Sequence, residues 1–211
     1  MTRIKICGIT SPQDARQAAF VGADAIGLNF YEGSPRSVSS DRALRIIDSL
    51  PPFVTTVGVF VNYPDPEALE DFALSIQLDA VQLHGNESSD YCSVINRVKV
   101  IKAFRVEKDF KVTSLRNYPV SGLLLDTYNA DKFGGTGSTF NWDQVASASE
   151  FGQIILAGGL HSKNVSQAID QLNPFAVDVS SGVESEPGKK DYELMCKFVE
   201  AVHTADNLKR N

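Results

Sequence analysis

The sequence predicts an α/β protein in which eight strand–helix units close into a single barrel over residues 1–211. Three observations carry that expectation. Short β-branched or apolar runs alternate with helical stretches of about 10–15 residues along the whole chain. Parallel strands need crossover helices, and eight βα units close naturally into a (βα)8, or TIM, barrel. No composition shift or linker interrupts the series, so one domain is expected.

Ile4–Ile9 reads as the first strand. Ser11-Pro12 then supplies an N-cap with Pro at the first helical position, opening a helix to about Val21. Ala25–Phe30 is the second strand and Ser40–Leu50 the second helix; Thr55–Val61 is the third strand. Asp65-Pro66 opens a third helix, with Leu69, Phe72, Ala73 and Ile76 on one face. Ala80–Leu83 is the fourth strand, followed by a helix near Ser89–Asn96. Val98–Phe104 is the fifth strand, with a helix at Phe110–Arg116, and Gly122–Asp126 is the sixth. A Gly-rich loop then leads to a helix at Asn141–Ser149. Gln153–Ala157, a helix at Lys163–Leu172, and Ala176–Ser180 follow. Asp191–His203 is the last helix, with Leu194, Phe198 and Val202 in an apolar row. A doubly wound open sheet is the alternative. It would normally use fewer strands and a glycine fingerprint after the first, where this chain has Gly8-Ile9-Thr10.

Composition narrows the function. With 20 Lys+Arg against 26 Asp+Glu the net charge is −6, which argues against nucleic acid or an anionic membrane as partner. The chain is 43% hydrophobic and 22% charged, which excludes a disordered or fibrous protein. No apolar run is long enough to span a bilayer, and MTRIKICGIT lacks the apolar stretch of a signal peptide. The three Cys (Cys7, Cys92, Cys196) form no CxxC pair, so neither a zinc site nor a disulfide framework is expected. A reducing, cytoplasmic setting follows.

In such a barrel, function sits at the C-terminal strand ends. There the chain places Cys7-Gly8, Asn29 to Arg36, Val61-Asn62, Gln82-Leu83-His84-Gly85, Asp126-Thr127, Gly158-Gly159 and Ser180-Ser181-Gly182. The last two groups of small residues stand at the ends of strands seven and eight, where phosphate usually binds in this fold. Small residues let backbone N–H groups approach an anion, and a short following helix would add its dipole. Cys7 is compatible with a small buried hydrophobe and equally with a thiolate acting as base or nucleophile. Lys5 shares its face and either supports that thiolate or pairs with Asp178. Asp126 closes the run Leu123-Leu124-Leu125, where partial desolvation would suit a general acid. Arg36 offers a guanidinium fork for a carboxylate, or is a solvated loop charge. Gln82 and His84 share one face of strand four, and His84 is compatible with a packed core position or a pocket wall.

The chain resembles the phosphoribosylanthranilate isomerases of tryptophan biosynthesis from end to end. The resemblance rests on Lys5-Ile6-Cys7-Gly8-Ile9-Thr10, Ser34-Pro35-Arg36, Gly58-Val59-Phe60-Val61-Asn62, Gln82-Leu83-His84-Gly85, Leu125-Asp126, Phe133-Gly134-Gly135-Thr136-Gly137, Leu156-Ala157-Gly158-Gly159-Leu160 and Val177–Glu184. It implies an Amadori rearrangement of N-(5-phosphoribosyl)anthranilate with Asp126 as general acid and Cys7 as general base. It further implies that Arg36 holds the anthranilate carboxylate, that Gln82, His84 and Gly135 line the substrate, and that Gly158, Gly159, Ser180, Ser181 and Gly182 hold the phosphate. No metal or organic cofactor is implied, and the partner is a small-molecule substrate. Members occur as monomers and homodimers, and the sequence displays no decisive apolar patch. The chain departs from the usual family pattern at Thr127 and Ser162, neither of which is a proposed catalytic group. An ordinary thiol, with pKa about 8.5, is mostly protonated at neutral pH, so the site must lower the Cys7 pKa or work through a minority thiolate.

The alternatives are another sugar-phosphate isomerase barrel or a non-catalytic phosphate-binding barrel. The histidine-pathway isomerase usually carries Asp at the strand-one position. Indoleglycerol-phosphate synthase would want Lys and Glu at the strand ends. A non-catalytic barrel would keep the cradle and lose Cys7 or Asp126, and both are present.

Overall fold

The computed structural model describes residues 1–126 and 142–209. Eight strands form a closed parallel barrel in chain order. They are β1 (Arg3–Cys7), β2 (Ala25–Asn29), β3 (Thr55–Phe60), β4 (Ala80–Leu83), β5 (Lys99–Arg105), β6 (Gly122–Asp126), β7 (Ile154–Ala157) and β8 (Ala176–Val179). The ring closes through β1 and β8, whose register sets Lys5 beside Asp178.

Alternation along the strands sorts the apolar residues into two layers. Ala103, Leu124, Ile155, Ala157 and Ala176 pack inside the barrel. Leu123 and Leu125, the neighbours of Leu124, belong instead to the outer core with Ile4, Ile6, Ile26, Leu28 and Phe198. The inner layer is small, and it shares the barrel with the buried polar side chains Lys5, Gln82 and Asp178. Polar groups in an apolar interior are stabilised only when paired, so this is where a site can be built.

The outer ring includes helices α1 (Pro12–Val21), α2 (Ser40–Ile47), α3 (Pro66–Ser75), α4 (Ser89–Val94), α5 (Val165–Leu172) and α6 (Tyr192–Leu208). The caps are those expected: the Ser11 side chain accepts from the Asp14 amide, and Asp65 accepts from the Glu67 and Ala68 amides. Two segments differ from expectation. Phe110–Arg116 contains only a 3₁₀ turn at Val112–Leu115, and the region expected as a helix at Asn141–Ser149 forms 3₁₀ turns at Trp142–Val145 and Ala148–Phe151. Neither Lys111 nor Ser147, which precede the first and last of these turns, makes a side-chain cap bond. Val-Thr-Ser is a weak helix former, and serines such as Ser147 and Ser149 compete for backbone hydrogen bonds, so an uncapped start stops after one turn. After β8 the chain adds an antiparallel hairpin, β9 (Glu184–Glu186) and β10 (Lys189–Lys190). No helix among the described residues is long and apolar enough to cross a membrane.

Both mouths of the barrel are concave. The N-terminal mouth holds a cavity of about 360 Å³, lined mostly by apolar side chains including Val57, Ile101, Ile155 and Phe175. Phe53 stands at its edge, fully exposed, at φ 77°. That left-handed backbone is strained for a bulky residue.

Candidate active site

The C-terminal mouth holds a cavity of about 220 Å³. Its walls bring together Cys7, Arg36, Gln82, His84, Asp126, Gly158, Gly159, Ser180 and Ser181 from strand ends dispersed along the sequence. Gly182 lies beside this cavity where loops seven and eight meet: a Cβ there would come within 2.0 Å of the Leu160 carbonyl oxygen. Gly135 lies outside the described residues, as does Thr127.

The small-residue cradle depends on backbone that only glycine adopts easily. Gly158 and Gly159 have φ of 92° and 67°. Asn164 secures the loop, its Nδ2 donating to the Gly159 carbonyl at 3.0 Å and its Oδ1 accepting from the His161 amide at 2.8 Å. The following segment at loop eight is a single 3₁₀ turn, Ser181–Val183. The anion-binding potential there therefore rests on loop amides and serine hydroxyls more than on a helix dipole.

Cys7 ends β1 and is half-buried. Beneath it Lys5 Nζ donates to Asp178 Oδ1 at 3.0 Å, and both side chains are buried. Gly27 leaves room for this arrangement, because a Cβ there would stand 2.6 Å from Cys7 Sγ and 3.1 Å from Lys5 Nζ. Of the two roles open to Lys5, the geometry therefore supports both at once. Burial pushes the Cys7 thiol above its ordinary value; the Lys5 cation pulls it down but does not prevail, and Asp178 pushes it further up. Lys5 itself stays cationic, since Asp178 and Cys7 outweigh the penalty of its burial. Of the two routes open to Cys7, a lowered pKa is absent and a minority thiolate remains.

Arg36 is not a solvated loop charge. Its Nε and Nη2 donate to the two carboxylate oxygens of Glu184 at 2.8 and 2.6 Å. Glu184 also accepts from Lys190 Nζ at 2.7 Å, so one buried carboxylate lies between two cations. Burial alone would raise the Glu184 pKa, but Arg36 and Lys190 hold it below the usual carboxylate range. The fork uses two of the five guanidinium N–H groups and fixes the plane in which the others point. Ser34 Oγ accepts from the Arg36 amide at 3.1 Å, which anchors the turn. Glu184 and Lys190 are the residues that sequence reasoning left without a role. Arg36 and Glu184 are 148 positions apart, so no local pattern signals their pairing.

His84 lines the pocket rather than the core. Its Nε2 lies 3.2 Å from Asp126 Oδ2, and its Nδ1 faces Gln82 Nε2 at 2.9 Å. Cys7 and Asp126 reach the same cavity from strands separated by β7 and β8 on one side of the ring. A thiol and a carboxyl group so placed can act on different atoms of one ligand held between them. Cys92, by contrast, is the buried residue of α4, and burial pushes its thiol up to about 11.

The family model described as N-(5′-phosphoribosyl)anthranilate (PRA) isomerase matches residues 4–201. The chain belongs to that family. An N-(5′-phosphoribosyl)anthranilate isomerase of Geobacter metallireducens is 50% identical over 199 residues, covering 94% of this chain and 98% of its own. The phosphoribosyl anthranilate isomerase of Thermotoga maritima superposes with a TM-score of 0.86 at 44% identity, covering 97% of this chain and 100% of the other. Another structure of such an isomerase, in complex with reduced 1-(o-carboxyphenylamino)-1-deoxyribulose 5-phosphate, gives a TM-score of 0.86 at 43% identity, covering 97% of this chain and 100% of the other. A further Thermotoga maritima structure, 40% identical with a TM-score of 0.83 and covering 96% of this chain and 99% of the other, shows mutually generated monomers of a dimeric isomerase. Family membership makes this chain a phosphoribosylanthranilate isomerase of tryptophan biosynthesis, built as a TIM barrel.

Proposed function

We propose that this isomerase activity is an Amadori rearrangement in which Asp126 is the general acid and Cys7 the general base. N-(5-phosphoribosyl)anthranilate enters with its furanose ring closed. Asp126 gives a proton to the ring oxygen, and the C1′–O bond breaks. The aniline nitrogen lone pair forms the C1′=N bond of a protonated Schiff base. The Cys7 thiolate then removes the C2′ proton, and the electrons of that C–H bond form C1′=C2′ while the nitrogen regains its lone pair. The resulting enolamine loses its 2′-hydroxyl proton and gains one at C1′. The product is 1-(2-carboxyphenylamino)-1-deoxyribulose 5-phosphate.

The remaining residues hold the substrate. Gly158, Gly159, Ser180, Ser181 and Gly182 receive the phosphate, and the N–H groups of Arg36 not engaged by Glu184 receive the anthranilate carboxylate. Gln82, His84 and Gly135 complete the substrate pocket. The observation that carries this reading is the shared cavity. Cys7 and Asp126 open onto it from different sides, with the left-handed glycines and paired serines along another edge. With its pKa raised by burial the Cys7 thiolate is a minority species at neutral pH, yet it is a stronger base for a carbon-bound proton than an ordinary thiolate.

The test is the loss of fluorescence of phosphoribosylanthranilate generated in situ. Cys7→Ala and Asp126→Asn are each expected to lower turnover by about 10²–10⁴ or more while analogue affinity stays within a few-fold. Near-normal turnover in either variant rejects the role given to that residue.

We further infer a cytoplasmic setting for this biosynthetic enzyme, and the net charge of −6 supports a reading without a nucleic-acid partner. We also infer a homodimer formed through the N-terminal mouth, where the exposed Phe53 stands beside an apolar cavity. The relative described as dimeric supports a homodimer, and the exposed Phe53 beside the cavity supports this mouth as its face.

A further inference from the structure

Gln82 is only 1% exposed, and its Oε1 finds no partner among the described residues. A buried amide oxygen without a hydrogen bond is destabilising, and an apolar side chain of similar volume would avoid the penalty. What the amide does make is the bond from Nε2 to His84 Nδ1 at 2.9 Å. An imidazole that accepts at Nδ1 carries its proton on Nε2. That nitrogen is the one 3.2 Å from Asp126 Oδ2, so the ring donates to the carboxyl group.

The loop that carries His84 is held rigidly from behind. The His84 amide donates to the Phe60 carbonyl at 2.8 Å, and the Gly85 amide donates to Glu87 Oε2 at 3.0 Å. Lys102 Nζ, buried, donates to the Gly85 carbonyl at 2.8 Å and to Glu87 Oε2 at 2.7 Å. Gly85 itself is required, since a Cβ would lie 2.3 Å from Asn62 Oδ1. A buried ion pair that clamps a loop backbone serves geometry more than stability.

We propose that His84, its tautomer set by Gln82, is a positioning residue for Asp126. Its Nε2–H tethers one carboxyl oxygen, restricts rotation of the group, and gives the delivered proton a single direction toward the ribose ring oxygen. This rests on the acid role of Asp126 and adds the chain Gln82–His84–Asp126 to it. The stability forgone at the Gln82 oxygen is the signature of an arm kept for its aim.

The experiment compares His84→Leu, His84→Gln, Gln82→Leu and Asp126→Asn by steady-state kinetics, product-analogue affinity and thermal unfolding. His84→Leu is expected to lower kcat roughly 10–100-fold, with KM and analogue affinity within about threefold. His84→Gln is expected to recover most of the loss, because an amide Nε2–H reaches close to the place of the imidazole Nε2–H. Gln82→Leu is expected to lower kcat while its Tm stays equal or rises. An inactive Asp126→Asn beside a His84→Leu whose kcat is unchanged overturns the positioning role and leaves the acid standing. An active Asp126→Asn removes the acid and the positioning role with it. A rise in KM without a fall in kcat leaves His84 as a pocket wall alone and overturns its positioning role. A Gln82→Leu that melts early with unchanged kcat assigns Gln82 to packing and overturns its part.

Discussion

The two mouths of the barrel differ in chemistry more than in size. The N-terminal cavity is the larger, about 360 Å³ against about 220 Å³, yet its walls are mainly aliphatic and aromatic. The C-terminal cavity gathers a thiol, a carboxyl group, an imidazole, a guanidinium group and left-handed glycines. The Lys5–Asp178 pair lies between them, with Lys5 on the wall of one cavity and Asp178 on that of the other. Volume alone would choose the end without the convergent polar groups. Convergent polar groups support the proposed reactive site at one mouth, and the apolar hollow beside an exposed aromatic supports the proposed contact surface at the other.

The partition gives the sharpest way to break this contrast. Lys5→Met leaves Asp178 buried without its cation and is expected to lower stability by about 3–5 kcal/mol, read as a fall in Tm or denaturant midpoint. It also moves the pH dependence. With Cys7 as the proposed base the thiolate is the active form, so kcat/KM is expected to rise with pH from neutrality and to level off above the ordinary thiol value. Lys5 lowers the Cys7 pKa more than Asp178 raises it. Removing Lys5 therefore shifts the rise to still higher pH, and an unshifted profile would separate Lys5 from the thiol.

At the reactive mouth, Glu184→Gln weakens the fork that fixes Arg36. The expected result is a rise in KM of roughly tenfold, the equivalent of a lost charge-assisted hydrogen bond, with kcat nearly unchanged. An unaltered KM removes Glu184 and Arg36 from the carboxylate site. At the opposite mouth, Phe53→Asp is expected to halve the mass in solution by light scattering while turnover per subunit is kept. A variant that stays dimeric places the interface elsewhere.

Much of the site was legible in the sequence, and the reason is the strand geometry. A residue that ends a barrel strand reaches the mouth whatever the strand packs against. Cys7 and Asp126 end their strands, Gly158 and Ser180 directly follow theirs, and all four line the cavity. Residues whose partners come from other strands were less visible. Arg36 read as a free fork or a solvated charge, and Glu184, which decides between them, lies 148 positions away. His84 stayed open between core and pocket because its two partners, Gln82 and Asp126, come from the same strand and from one 42 positions away. Phe53 gave no signal at all, since exposure is a property of the closed ring and not of a single apolar residue.

By itself the sequence determined the number and order of the strands, the Ser11 and Asp65 caps, and which residues stand at strand ends. These are local matters of alternation, capping and turn chemistry, settled within a few residues. Tertiary structure alone decided which polar groups meet: Lys5 with Asp178, Arg36 with Glu184, His84 with Asp126. It also decided the direction of the Cys7 shift. Pairing and burial depend on what ring closure brings alongside each group, and a desolvated charge or thiol takes its protonation from those neighbours.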